Sequence, residues 1–398
     1  MVFSKRHRLL ICGFYGHHNL GDEAMLAGML RLLQRCLGPN YLDQITVYSN
    51  DPEDTAMRHG VATLGNQFPR RRREKWIQWM DHTLALWQHQ FFILGGGDLL
   101  RDSSTRDVAT TWLQPLQRAM TLGCRTIVLG ISVGEIWKPQ TKMAIVETLN
   151  RVNLIAVRDQ GSQEKLQQMG VTRPIYVISD LALQLTTTPM NFGSQAVSAP
   201  QRSAPKIAIS IRSLTGRLPE IDQAVEHRFY REMAQIIDYL VETKGATVSL
   251  FPFQTEKPND RGQDNDEDAI NAVLQRSRQK QHVTAHGAFN SVEQALDVLQ
   301  SFDLVIGTRL HSLILAAGLG IPLLAAVYDP KVSGFITEIE QQVNSFSIQQ
   351  FTLDTVKPRL EALLSQSSQS QHRLIQAVER YRQQMTPIER KLCQLLDS

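Results

Sequence analysis

The residues Asp303-Leu-Val-Ile-Gly-Thr-Arg309-Leu-His311-Ser312 spell an apolar strand, a charged turn and the start of a helix. A guanidinium and an imidazole two positions apart therefore meet a helix N-terminus, where free backbone N–H groups and the macrodipole favour negative charge. The dipole disfavours a protonated imidazole there, and a bound phosphate would restore its proton affinity, so the turn suits a dianionic ligand. The plainer alternative is that Arg309 pairs with a structural carboxylate and His311 caps the helix. Arg212, directly after the apolar run Ile207–Ile211, adds a cation at a second strand end, and Tyr328-Asp329-Pro330-Lys331 makes another charged turn after Leu323–Val327.

Two glycine-bearing loops follow strands nearer the start of the chain. The first, Gly13-Phe14-Tyr15-Gly16-His17-His18-Asn19-Leu20-Gly21-Asp22, lacks the G-x-G-x-x-G spacing of a dinucleotide site, and by itself could be a helix entry capped by Asp22. The second, Gly95-Gly96-Gly97-Asp98, follows the expected strand Phe91–Leu94. Consecutive glycines at a strand end cost backbone entropy and imply that something approaches closely, either a ligand or a tightly packed neighbour.

Positioning these turns requires parallel sheets, and the pattern supplies them. Strand-like runs Leu9–Phe14, Ile45–Ser49, Phe91–Leu94, Thr126–Ile131, Leu154–Val157 and Ile175–Ile178 alternate with helical periods, then a second series begins at Ile207. The Thr-, Ser- and Pro-rich stretch between them has no apolar period. The expectation is an α/β protein with two Rossmann-like domains facing a cleft: residues 1–186 on the acceptor side, a linker at 187–205, a donor domain at 206–352 and a helical tail at 353–398. Ligands of open α/β sheets bind outside the carboxyl ends of the strands, where the charged turns fall.

Composition narrows the classes. The formal net charge is +3, with 42 basic against 39 acidic residues, too weak a bias to imply nucleic acid. Cys12, Cys36, Cys124 and Cys393 show no C-x-x-C pairing and are expected to be buried thiols of a reducing compartment. No metal cluster is expected, since the histidines fall singly or as His17-His18. Arg70-Arg71-Arg72-Arg73 precedes Trp76, Trp79, Met80, Leu84 and Trp87, a pattern that a membrane-surface helix uses. The preferred reading is a Rossmann helix that buries its tryptophans.

Taken together, Gly13-Phe14-x-Gly16-x-x-Asn19-x-Gly21-Asp22-Glu23, the Gly95–Gly97 run before Leu99-Leu100-x-Asp102, Ser179-Asp180, Ile209-x-Ile211-Arg212, Phe251-Pro252-Phe253-Gln254, Gly307-x-Arg309-Leu310-His311-Ser312 and Tyr328-Asp329-Pro330-Lys331-Val332 resemble the polysaccharide pyruvyl transferase family. They look closest to its cell-surface-anchoring branch, which serves the S-layer and secondary cell-wall polymers of bacteria. The resemblance implies a fold similar to the GT-B glycosyltransferases and phosphoenolpyruvate as co-substrate with no other cofactor. It also implies a pyruvate ketal on a hexose or N-acetylhexosamine of the cell envelope, formed with release of phosphate.

Position by position, Arg212, Arg309 and His311 match donor-site residues. Asn19, Gly21, Asp22, Gly95, Gly96 and Gly97 match loops facing the cleft, and Asp180 and Lys331 match further motif positions. Asp98, Arg101 and Thr308 stand where the branch often has Ser, Gln and Met, differences that bear on the acceptor more than on the donor. The expected assignment has His311 as general acid or phosphate partner, Asp22 or Asp98 as base, and Arg212, Arg309, Ser312 and Lys331 as donor ligands. The expected partners are phosphoenolpyruvate and a glycan or polyprenyl-linked sugar, in the cytoplasm, with peripheral contact at the inner face of the cytoplasmic membrane as a further option. Its rivals are a nucleotide-sugar glycosyltransferase and a non-catalytic sugar- or phosphate-binding module.

Overall fold

The computed structural model describes residues 9–65, 72–102, 108–186, 204–215, 221–255, 265–365 and 367–398, the side chains of 72–79, 367 and 368 excepted. By contacts the chain divides into two units. Unit 1 comprises Met1–His17, Asp22–Gln184 and Arg382–Ser398, and unit 2 comprises His18–Gly21 and Leu185–Tyr381.

In chain order the first series is β1 (Leu9–Cys12), α1 (Leu20–Leu37), β2 (Ile45–Ser49), α2 (Pro52–His59), β3 (Ala62–Gly65), α3 (Arg72–Gln88), β4 (Phe91–Leu100), α4 (Val108–Thr121), β5 (Arg125–Val133), α5 (Pro139–Leu149), β6 (Leu154–Val157), α6 (Gln160–Met169) and β7 (Ile175–Val177). Its strands form one parallel sheet in the order β3-β2-β1-β4-β5-β6-β7. Strand side chains alternate faces, which divides the core in two. Leu10, Cys12, Phe92, Leu94 and Val128 pack on one face. Leu9, Ile11, Phe91, Ile93 and Ile127 pack on the other with α1.

The second series is β8 (Lys206–Ser210), α7 (Gln223–Lys244), β9 (Thr247–Leu250), α8 (Asp266–Leu274), β10 (Val283–Ala285), α9 (Val292–Leu299), β11 (Leu304–Gly307), α10 (Leu310–Gly318), β12 (Leu323–Val327), α11 (Pro330–Glu338) and β13 (Ser345–Ser347). These strands form a second parallel sheet, β10-β9-β8-β11-β12-β13. Chain order reverses between β8 and β11, which makes that edge the topological switch point. The tail forms α12 (Leu353–Ser365), α13 (Ser367–Gln383) and α14 (Thr386–Asp397). Ile388, Leu392 and Leu396 of α14 complete the α1 face of the first core.

Four expectations change. β4 continues through the glycines to Leu100, with its register against β5 shifting between Gly97 and Leu100, so the run is part of the strand and not a loop after it. α1 starts at Leu20, which puts Asp22 in its first turn rather than at its cap. Cys36 and Cys393 are joined by a disulfide across 357 positions, with their Cα atoms 4.8 Å apart, whereas Cys12 and Cys124 are free and buried. A bridge between α1 and α14 is invisible in local spacing, and it removes these two cysteines from the argument for a reducing compartment. Finally, Met80, Leu84 and Trp87 of α3 are 45, 53 and 60% exposed, so Trp87 is not buried against the sheet. Trp76, Trp79 and the arginines at 70–73 lie outside the described side chains. No described helix is long and apolar enough to cross a membrane.

Candidate functional site

At the switch point of the second sheet, β8 and β11 deliver two arginines side by side. Arg212 and Arg309 are both 6% exposed. Thr308 ties the two strand ends together: its N–H donates to Ser210 O at 2.9 Å, and its hydroxyl accepts the N–H of Arg212 at 3.0 Å. Burial pushes the Arg309 guanidinium down from its usual range, and the neighbouring Arg212 pushes it further.

Arg309 does not present its fork to a ligand. Its Nε donates to both oxygens of Asp266, at 3.0 and 2.9 Å, its second amino group also bonds Asp266, and Nη1 donates to Gln254 Oε1 at 3.0 Å. Asp266 is fully buried and accepts the backbone N–H groups of Phe253 and Gln254 at 2.9 and 3.0 Å. This pairing fixes the Phe251–Gln254 turn beside the strand end that carries Arg309.

Arg212 faces a different group. Its Nη1 donates to the Tyr328 hydroxyl, and its guanidinium carbon lies 5.1 Å from the centre of that ring. Burial and Asp329 push the Tyr328 phenol up, yet Arg212, Lys331 and Arg309 outweigh them and hold the phenol below its ordinary value. A buried phenol with a lowered pKa reports a positive field at this point. Lys331 follows Asp329, the N-cap of α11, and lies 3.4 Å from its carboxylate.

His311 occupies the first turn of α10 against the His18–Gly21 segment. A Cβ on Gly21 would lie 2.2 Å from His311 Nδ1, so the glycine is needed for the ring to sit there. The segment is held as a short strand-like pairing: Leu20 N–H donates to Phe253 O at 2.8 Å, and Asn19 bridges Gln254. Asn19 Oδ1 accepts the N–H of Gly21 at 3.0 Å. Asp266, the Phe253–Gln254 turn, Asn19, Gly21 and His311 thus form one connected assembly. Ser312 is fully buried, and its hydroxyl donates back to Arg309 O at 2.6 Å.

Asp22, Asp98 and the Gly95–Gly97 run belong to unit 1. The close approach that the glycines require is made by the protein itself. A Cβ on Gly95 would meet Met29 Cε at 2.2 Å, one on Gly96 the Tyr15 hydroxyl at 2.9 Å, and one on Gly97 the Asp22 carboxylate at 3.2 Å. Gly96 and Gly97 also have φ of 72° and 92°, where side chains are strained. Tyr15 and α1 occupy the space beside these glycines.

Sequence reasoning passed over Arg158, the first residue after β6. It is 6% exposed, donates to Ser132 Oγ, and lies 3.4 Å from Asp180 Oδ2. Burial lowers its proton affinity, but Asp180, Asp159, Asp98 and Asp22 together hold it above its usual range. The same rule that selected Arg212, a charged residue ending an apolar strand, would have found it.

A model of the family described as polysaccharide pyruvyl transferase matches residues 19–330. The amylovoran biosynthesis protein AmsJ of Erwinia amylovora is 23% identical over 262 residues, which cover 64% of this chain and about three-fifths (61%) of that relative's length. Among solved structures, Anabaena Alr3699/HepE in complex with UDP and glucose aligns over 99% of this chain and 100% of its own, with TM-score 0.60 and 14% identity. The UDP-GlcNAc 2-epimerase of Neisseria meningitidis bound to UDP-GlcNAc covers 97% of this chain and 100% of its own, with TM-score 0.58 and 10% identity. At these identities the structural likeness establishes the fold, one shared with GT-B glycosyltransferases and epimerases.

Proposed function

Since this chain belongs to the polysaccharide pyruvyl transferase family, we propose that it transfers pyruvate from phosphoenolpyruvate to two hydroxyls of an envelope sugar. The observation that carries the donor assignment is geometric: the buried Arg212 and Arg309 follow the ends of adjacent strands, Arg309 at the N-cap of α10, and Arg212 meets the ring of Tyr328, three residues before Lys331. Phosphoenolpyruvate is a small polyanion, and buried cations beside a helix N-terminus suit it.

In this reading Arg212 and Lys331 bind the donor, and Arg309 with Asp266 fixes the loop beside it. His311 protonates C3 of the donor. The electron-poor C2 then accepts the first sugar hydroxyl, with Asp22 or Asp98 taking its proton. Loss of phosphate regenerates the electron-poor centre, and the second hydroxyl closes the ketal as its proton leaves with phosphate. Acid and base each contribute about 10²–10⁴ in rate. The acceptor is a hexose or N-acetylhexosamine, and the reaction takes place in the cytoplasm, where the donor is made.

Phosphate release from phosphoenolpyruvate, dependent on an acceptor glycan and accompanied by a pyruvate ketal in the product's mass, is the expected result. Arg212→Lys should raise the phosphoenolpyruvate KM about tenfold or more by losing two-pronged recognition. A chain that is stabilised by UDP but not by phosphoenolpyruvate, and that releases no phosphate, would be a nucleotide-sugar glycosyltransferase instead.

The exposed stripe Met80, Leu84 and Trp87, preceded in sequence by Arg70–Arg73, supports peripheral contact with an anionic membrane bearing a lipid-linked acceptor. The chain should co-sediment with phosphatidylglycerol vesicles and not with phosphatidylcholine vesicles, and Leu84→Ser with Trp87→Ser should abolish that. Equal sedimentation of the double variant would remove the membrane role.

A further inference from the structure

Trp137, in the loop leaving β5, is 57% exposed, although an indole is among the costliest apolar side chains to leave in water. Its backbone is firmly fixed. The buried Asp102 carboxylate accepts the N–H groups of Trp137 and Lys138 at 2.7 and 2.6 Å. Burial pushes that carboxyl up, but the N–H of Lys138, the Thr141 hydroxyl and the N–H of Trp137 outweigh it and hold it below the usual range. Two backbone bonds complete the lacing of the β4 and β5 ends, Asp102 N–H to Glu135 O and Gly134 N–H to Leu100 O, both 2.9 Å.

Asp98, near the end of β4, and Arg101, just after it, stand at the same edge. A Cβ on Gly134 would lie 2.8 Å from Arg101 Cβ and 3.3 Å from Asp98 Oδ1, so the glycine lets the β5 loop close onto both. The Arg101 and Asp98 side chains are 47 and 30% exposed and 4.0 Å apart, Asp98 Oδ1 itself being buried without a hydrogen bond among the described residues. A displayed indole on a loop laced to a strand end that carries a carboxylate and a guanidinium matches a pyranose. The apolar C–H face of the sugar ring stacks on the indole, while the carboxylate accepts from its hydroxyls and the guanidinium donates to them.

We propose that Trp137, on the loop laced to the β4 end that carries Asp98 and Arg101, is the platform on which unit 1 holds the pyranose ring of the acceptor. This deepens the pyruvyl-transfer reading, on which the word acceptor rests, and saccharide binding tests it without the donor.

The probes are methyl hexopyranosides and methyl N-acetylhexosaminides with free 4- and 6-hydroxyls, titrated by calorimetry in the absence of phosphoenolpyruvate. Wild type should bind at least one of them. Trp137→Ala should weaken that binding about tenfold and raise the acceptor KM by the same factor, leaving the phosphoenolpyruvate KM within about twofold. Trp137→Phe, which keeps an aromatic face, should recover most of the affinity. No saccharide binding by wild type, or undiminished binding by Trp137→Ala, would overturn the platform. Saccharide binding that depends on Trp137 without phosphate release would uphold the platform and overturn the pyruvyl-transfer reading alone.

Discussion

Asp266→Ala should cost about 3–5 kcal/mol of stability, the usual effect of stranding one member of a buried ion pair. Arg309 and Asp266 have side chains 8 and 0% exposed, so the variant leaves a buried guanidinium without its counter-charge. The same carboxylate satisfies the N–H groups of Phe253 and Gln254, two donors that would also be left buried. Denaturant unfolding of the full chain would read the loss, in a transition assigned to unit 2 by proteolysis. A loss below about 1 kcal/mol would mean that the pair is solvated or dispensable. A double variant, Asp266→Leu with Arg309→Met, should recover only part of the stability, because it removes the stranded charge but still leaves the N–H groups of Phe253 and Gln254 without their acceptor. It should not recover activity, since the turn that pairs with Asn19 and Leu20 would lose its anchor.

His311→Gln should lower turnover by about 10²–10⁴ while phosphoenolpyruvate binding stays near that of wild type. Glutamine keeps size and hydrogen bonding but cannot deliver a proton. Steady-state kinetics with a donor-binding titration separates this role from simple anchoring: a raised KM at unchanged kcat would make His311 a binding residue, and unchanged turnover would exclude it as the acid. Gly21→Ala gives an independent check, because its Cβ would fall 2.2 Å from Nδ1 and must displace the ring. It should lower turnover without touching any charge. If Gly21→Ala is silent while His311→Gln is not, the ring works from a position other than the one it holds against Gly21.

Disulfide, ion pair and glycine run share one reason for having been hidden. Cys36 and Cys393 are brought together only when α14 covers the α1 face, and Asp266 reaches Arg309 only when α8 follows the β9 turn. In each case the partner is distant in sequence, and nothing in local periodicity encodes it. β3 and β13 were missed for a different reason. Ala62–Gly65 and Ser345–Ser347 are short, partly exposed edge strands without an apolar run.

What the chain of residues determined by itself was the α/β class, most central strands and the turns that carry charge, because apolar runs buried on both faces leave a direct sequence trace. The motif order determined the family as well. Tertiary structure decided the partners: Arg309 neutralised by Asp266, Arg212 set against Tyr328, His311 seated on Gly21, Arg158 among carboxylates, and the glycines of β4 filled by α1. Charge and close contact depend on distance in space, and a charged residue at a strand end cannot reveal from sequence whether a ligand or a buried carboxylate will satisfy it.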